Sequence, residues 1–148
     1  MPSYSSTITS YTEGRLALQA GLNLSSDTLK ALLLTSSYTP NLSTDTLSGI
    51  TANECSGAGY ARVTLAGNAL SNNAGDIEFT ITDFTFTANG ADITTIRYCV
   101  IYDDTPAGDP LLYLIDLTSG SPTNFTLTDG NDLNVNLPAV VTTLEFSA

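Results

Sequence analysis

Histidine is absent from this chain of 148 residues, lysine occurs once, at Lys30, and cysteine twice, at Cys55 and Cys99. Without an imidazole, no Ser-His-Asp or Cys-His nucleophile can be assembled, and the commonest general base and metal ligand is missing. Ser-Lys or Schiff-base chemistry would rest on Lys30 alone, which sits in an ordinary amphipathic strand pattern. Carboxylates are the plentiful acid–base groups, and a glycosidase needs only two of them. Asp103, Asp104, Asp109 and Asp116 are the candidates, but they fall in a turn and on the adjoining strand, where aspartates cap backbone groups. They read as solvated turn residues.

Asp129, Asn131 and Asp132 supply hard oxygen atoms of the kind calcium takes. The run Asp-Gly-Asn-Asp lacks the spaced pattern of an EF-hand loop, however, and Asp-Gly is a hairpin turn. SGAGYAR, residues 56–62, is half of a phosphate-cradling glycine motif, but its sixth position is Arg62 and a strand follows instead of a helix. Gly57 and Gly59 are expected instead to permit a backbone kink or the close approach of a neighbour. No catalytic residue, cofactor site or metal ligand set is therefore expected. Cys55 and Cys99 could pair, but both lie in apolar stretches, which favours two free, buried thiols. The Asn-x-Ser/Thr matches at Asn23, Asn41 and Asn124 are expected by chance in so Ser- and Thr-rich a chain.

These residues must be positioned by strands. Ala61, Val63 and Leu65 alternate with Arg62, Thr64 and Ala66, and Ile77, Phe79 and Ile81 alternate again after an Asn-rich turn. The apolar phase then slips to Phe84 and Phe86, which calls for a bulge or turn near Thr82 and Asp83. Asn89-Gly90 is a tight-turn signal. TTIRYCVIYDD is apolar on both faces and predicts a central strand; DTLKALLLTSSY and LLYLIDL predict buried ones. Phe125 and Leu127, then Leu133, Val135 and Leu137 across Asp129-Gly130, read as a hairpin, and VVTTLEFSA as the last strand. Seven to nine short strands punctuated by Gly, Pro and Asn predict an all-β fold, an antiparallel β-sandwich or jelly-roll-like barrel. Residues 1–26 are expected to form an irregular N-terminal arm or lead-in and 27–148 the β-sandwich domain. Residues 38–53 are expected to form a long loop of the kind that carries function.

Fifteen acidic residues against four basic ones give a formal net charge of -11. Four scattered cations cannot build the stripe a nucleic acid or an anionic membrane would need. The N-terminus has neither the basic nor the apolar region of a secretory signal, and no apolar run approaches the ~20 residues of a membrane span. A soluble product of the cytoplasm is expected. Seven tyrosines stand against no tryptophan. Tyr4, Tyr11 and Tyr38 fall in irregular or strand-end segments; with Leu42 they are candidate anchors of a protein interface, or simply residues that flank turns.

ITANECSGAGYARVTL, residues 50–65, resembles the I-x-A-N-E-x-S-G-x-G-Y-x-R signature of small tailed-bacteriophage structural proteins. TTIRYCVIYDDTPAGDPLLYLIDL, residues 94–117, resembles the strand-turn-strand block of the same family, and DTLKALLLTSSYTPN its opening strand. The chain departs from that pattern in having Cys99 where a small residue is usual and in lacking a tryptophan. The resemblance implies a capsid decoration, or cement, protein on the virion surface, made in the host cytoplasm. It further implies binding to the major capsid protein, assembly as a dimer or trimer, and no active site. Residues 1–26 would then lie along the shell as an arm and 38–53 would be a contact loop. Another virion part (neck, tail or fibre) is the alternative, and a glycan-binding β-sandwich a further one.

Overall fold

The computed structural model describes residues 7–12, 23–74 and 76–144. Eleven strands run through them: β1 (Thr7–Ser10), β2 (Leu29–Thr35), β3 (Val63–Thr64), β4 (Ala69–Asn73), β5 (Asp76–Thr80), β6 (Phe84–Thr87), β7 (Ile93–Asp103), β8 (Leu111–Asp116), β9 (Phe125–Leu127), β10 (Asp132–Val135) and β11 (Thr142–Leu144). The helical pieces are α1 (Leu47–Ile50) and a 3-10 turn over Thr51–Asn53. Every strand pairing is antiparallel. The all-β expectation is met; the strand number exceeds seven to nine because β3, β9 and β11 are two or three residues long.

The large sheet runs β1-β8-β7-β2-β3, with β9 pairing the first part of β7; β11-β5-β4 and β10-β6 form two smaller sheets. β7 is central as its two-sided apolarity predicts: β2 flanks it on one side and β8 on the other. One face of the large sheet (Leu29, Ala31, Leu33, Cys99, Ile101, Ile115) packs on Phe79, Phe86, Leu133 and Val135 of the smaller sheets. Phe79 stacks on Tyr113 across that core, with ring centroids 6.3 Å apart. The opposite face (Leu32, Leu34, Tyr98, Val100, Leu114) is buried too, under Tyr11, Tyr38, Leu47 and Ile50. The sequence from 38 to 53 therefore forms a lid on the sheet, with its apolar residues turned inward.

Three expectations need correction. Thr7–Ser10, placed in an irregular lead-in, is an edge strand whose four residues pair with Tyr113–Asp116, and Leu24 is fully buried in the main core. β9 and β10 are not a hairpin: β9 pairs with β7 and β10 with β6, so the Asp129-Gly130 turn carries the chain from one sheet to another. Ser71, Asn72 and Asn73, read as a turn, continue β4, and the reversal comes after them. The phase slip at Thr82 and Asp83 is the same kind of transfer, from β5 to β6.

Leu33 separates the two cysteines in the ladder: it pairs with Cys99, and its carbonyl accepts the Cys55 N–H at 2.9 Å. Two interstrand spacings put the cysteine Cα atoms about 10 Å apart, beyond the roughly 7 Å a disulfide can bridge. Both thiols are free and buried. Burial, with a smaller contribution from the Glu54 charge, pushes Cys55 up to about 12.

Thr95 sits in the bulge between Ile93 and Ile96 with φ of 57°, a left-handed conformation that a β-branched residue resists. Its side chain is exposed, and its hydroxyl donates to the carbonyl of the preceding Thr94 at 2.7 Å. Thr95→Asn, which tolerates that region, should stabilise the fold by about 1 kcal/mol. A thermal melt checks this, and an unchanged or lower midpoint would show the bulge unstrained.

Candidate functional site

The segment carrying the 50–65 signature closes an open edge. β3 covers β2 at Lys30 and Ala31, and Leu65 N–H bonds the Leu29 carbonyl; beyond Ala31 the neighbour is the 54–60 segment, which bridges Leu34 at Glu54. There the Cys55 N–H donates to the Leu33 carbonyl, and the Tyr60 hydroxyl accepts the Leu33 N–H at 3.1 Å, a phenol standing in for a strand. The same hydroxyl donates to Glu54 Oε1 at 2.7 Å. Arg62 grips both Glu54 oxygens, Nε to Oε1 at 2.8 Å and Nη2 to Oε2 at 2.6 Å, and donates from Nη1 to Tyr102 Oη at 3.0 Å. Its guanidinium lies 5.5 Å from the centre of the Tyr102 ring. Residues six and eight apart thus converge because the chain turns at Gly57 and Gly59 and then runs back into β3.

Glu54 is only 14% exposed at its side chain, so its charge depends on these donors. Burial alone would raise its pKa; the hydrogen bonds from Arg62 and Tyr60 and the Arg62 charge outweigh it and hold the carboxyl below its ordinary 4.5. A lowered folded-state value means stability that is present above 4.5 and lost as pH falls through the folded value. Glu54→Gln keeps the shape and removes the charge. It should cost about 2 kcal/mol near neutrality and remove this part of the acid sensitivity. Urea titrations of both proteins near pH 7 and near pH 3 test it; an equal gap at both would refute the charge role.

Gly59 meets the close-approach expectation: a Cβ built on it would lie 1.9 Å from the Ala91 carbonyl oxygen. Gly57 has φ of 118° with open space beside it, and serves the turn instead. The segment is not a phosphate cradle in form: a strand follows it instead of a helix, Cys55 N–H is turned onto the Leu33 carbonyl and Tyr60 N–H onto the Gly57 carbonyl.

The candidate interface residues divide. Tyr4 lies outside the described residues. Tyr11 and Tyr38 are 1% and 5% exposed, and Leu42 is half-buried against the same cluster. Tyr38 donates to Asp45 Oδ2 at 2.5 Å, so its oxygen must accept from the Tyr11 hydroxyl, 2.9 Å away. Asp45 Oδ2 also takes the Asn41 N–H at 2.7 Å. Burial, aided by the Asp45 charge, pushes Tyr11 up to about 12. Burial also raises Tyr38, together with the bond it donates to Asp45. Tyr11 and Tyr38 are therefore internal ties between β1 and the lid, not presented anchors; irregular local sequence does not mean exposure. The outer side of the lid offers Ser43, Thr44, Thr46 and Ser48.

The carboxylates are scattered. Asp116 bonds Arg97 at 3.3 Å and caps Thr118; Asp104 meets Lys30 at 2.6 Å; Asp103 is buried. Asp129 accepts the Gly90 N–H and Asp132 the Thr87 hydroxyl, which makes them turn and ladder residues. Among the described residues no three His, Cys, Asp or Glu side chains gather as a metal site would need. The burial of Asp103 was missed in sequence, although it continues the inward phase of Cys99 and Ile101. Leu70, 39% exposed, is the one large apolar side chain exposed among the described residues. It lies on β4, all five residues of which are exposed. Compared with known protein families, curated proteins and solved structures, the chain matches none.

Proposed function

We propose that this chain is a virion structural protein that decorates a phage capsid, binding the major capsid protein from outside and stiffening the shell. The observation that carries the reading is the use made of the signature segment: Glu54, Tyr60 and Arg62 seal the edge of β2 instead of forming a site. A segment that spends Glu54, Tyr60 and Arg62 on one another and on its own sheet suits a rigid subunit that is selected for its shape. Other side chains that could do chemistry pair within the chain: Lys30 with Asp104, Arg97 with Asp116, Tyr38 with Asp45.

The shell-facing surface in this reading is the polar outer side of the lid over residues 38–53, not the buried tyrosines. Contacts there would be hydrogen-bonded, through the hydroxyls of Ser43, Thr44, Thr46 and Ser48, and would not draw on the net charge of -11. Assembly as a dimer or trimer on a shell symmetry axis belongs to the same proposal. Adding the purified chain to particles stripped of it, and counting copies by mass spectrometry and cryo-EM, tests the proposal. Saturation at hundreds of copies spread over the shell is the expected result. A handful at one vertex would make it a neck or tail part, and no binding would remove the proposal.

A further inference from the structure

The sequence holds one Asn-Gly pair, Asn89-Gly90, and one Asp-Gly pair, Asp129-Gly130. In such pairs the glycine nitrogen, unhindered by a side chain, can attack the Cγ of the residue before it and close a succinimide. At Asn89 the Gly90 nitrogen would lose its proton, the N–Cγ bond would form, the Cγ–Nδ2 bond would break, and ammonia would leave. At Asp129 the Gly130 nitrogen would do the same with loss of water. Water then opens either ring, leaving aspartate or a β-linked isoaspartate. The glycines are required, since both turns use the left-handed region: φ is 99° at Gly90 and 78° at Gly130. Burial gives no protection, because all four residues are exposed.

Hydrogen bonds protect them instead, because the two turns meet at the junction of β6, β7 and β10. Gly90 N–H donates to Asp129 Oδ1 at 2.7 Å. Gly130 N–H donates at 2.9 Å to the carbonyl of Ala88, the residue before Asn89. Each attacking nitrogen is thus held by the other turn. The first of these bonds acts twice: it occupies the nitrogen that would attack Asn89, and it engages the carboxylate that Gly130 would attack. The carboxylate also opposes loss of the Gly90 proton, since an amide anion would form beside a negative charge. Asp92 Oδ1 steadies the arrangement by accepting the Asp129 N–H at 2.8 Å.

We propose that Asn89 and Asp129 are sites of spontaneous succinimide modification, and that the Gly90–Asp129 hydrogen bond keeps both unreactive while the chain is folded. An isoaspartate at 89 would add a methylene to the backbone where Asn89 N–H meets the Gly59 carbonyl at 3.2 Å and Ala91 abuts Gly59. The altered turn could not re-form that contact, so an opening that reaches the ring leaves the junction permanently loosened.

Peptide mapping by mass spectrometry after incubation in mildly alkaline buffer tests this, with the guanidinium-unfolded chain as the unprotected reference. In the folded wild type, Asn89 should convert at least about tenfold more slowly than in the unfolded chain, the factor that a hydrogen bond to a charged group supplies. Isoaspartate at 129 should be slowed in the same way. The slowing at Asn89 should match the protection of the Gly90 amide against hydrogen exchange, since both reactions need the same N–H set free. Equal conversion of folded and unfolded chains, or a Gly90 amide that exchanges as fast as in an open chain, would overturn the proposal. Asp129→Ala should bring the Asn89 rate close to the unfolded one in a protein whose circular dichroism is unchanged. Asp92→Ala, which leaves the Gly90 bond in place, should not. A folded Asp129→Ala protein that converts Asn89 no faster than the wild type, or equal acceleration by both variants, would assign the protection to the fold as a whole and overturn the role of this bond. If Asp129→Ala does not fold, the wild-type comparison of conversion with Gly90 exchange decides.

Discussion

Replacing Gly59 with alanine is expected to cost more than about 3 kcal/mol, enough to leave the chain largely unfolded if the native state is of ordinary stability. The added Cβ would stand 1.9 Å from the Ala91 carbonyl oxygen and 2.7 Å from its carbon, both of them backbone atoms that no rotamer change can move aside. Nor can the 88–92 turn retreat. Asn89 N–H donates to the Gly59 carbonyl at 3.2 Å, Ala88 N–H to the Asn131 carbonyl at 3.0 Å and Gly90 N–H to Asp129 Oδ1 at 2.7 Å. Asp92 Oδ1 in turn accepts the Asp129 N–H at 2.8 Å. Moving Ala91 therefore breaks the junction of β6, β7 and β10 as well. Gly57→Ala is the comparison: its Cβ enters open space, and only the φ of 118° is penalised, at about 1–2 kcal/mol. Urea denaturation of the two variants decides the matter. If alanine costs no more at 59 than at 57, the two segments are not held rigidly against each other.

Tyr11→Ala should cost about 4 kcal/mol, the value for deleting a large aromatic from a core. The ring is 1% exposed and lies among Leu32, Leu34, Val100, Leu111 and Leu114, on the face of the large sheet away from the main core. Its N–H donates to the Leu112 carbonyl and the next residue's N–H to the Leu42 carbonyl, each at 2.9 Å, so Tyr11 joins β1, β8 and the lid. Tyr11→Phe keeps the ring and loses only the hydroxyl, for about 1 kcal/mol, since Tyr38 still has Asp45 as its acceptor. Deleting residues 1–12 should destabilise at least as much as Tyr11→Ala, because β1 leaves with the ring. Denaturation midpoints and amide exchange along β8 measure both effects. A shortened protein as stable as the full chain would restore the picture of a detachable arm.

What could be read in sequence was local alternation. β7 showed itself as central because both of its faces are apolar, and β2 and β8 as buried because polar relief is scarce. Turn chemistry was legible as well, but only as the place where the chain reverses. Asp129-Gly130 could not reveal that β9 and β10 belong to different sheets, since that depends on β7 and β6 taking them as partners. Ser71, Asn72 and Asn73 have poor strand propensity, and only pairing with β5 makes them a strand. Tyr11 and Tyr38 are 27 positions apart and bury each other, an event with no local sign. The glycines of the signature were legible as a close approach; the convergence of Glu54, Tyr60 and Arg62 was not, because it needs the path of the chain between them.

The pairing of β1 with β8 has a consequence for how the protein is made. Ile8 finds its partner in Ile115, and Leu29 finds Asp103, so β1 and β2 wait for strands that are made long after them. Until then Leu32, Leu34 and the apolar edge of β2 stand unpaired in the nascent chain. Contacts so distant along the sequence close slowly, in milliseconds to seconds for folds of this kind. The large sheet thus cannot close until β7 and β8 have been made. During that interval the chain depends on its own polar segments, or on a chaperone, to keep β2 from the strands of its neighbours on the same message.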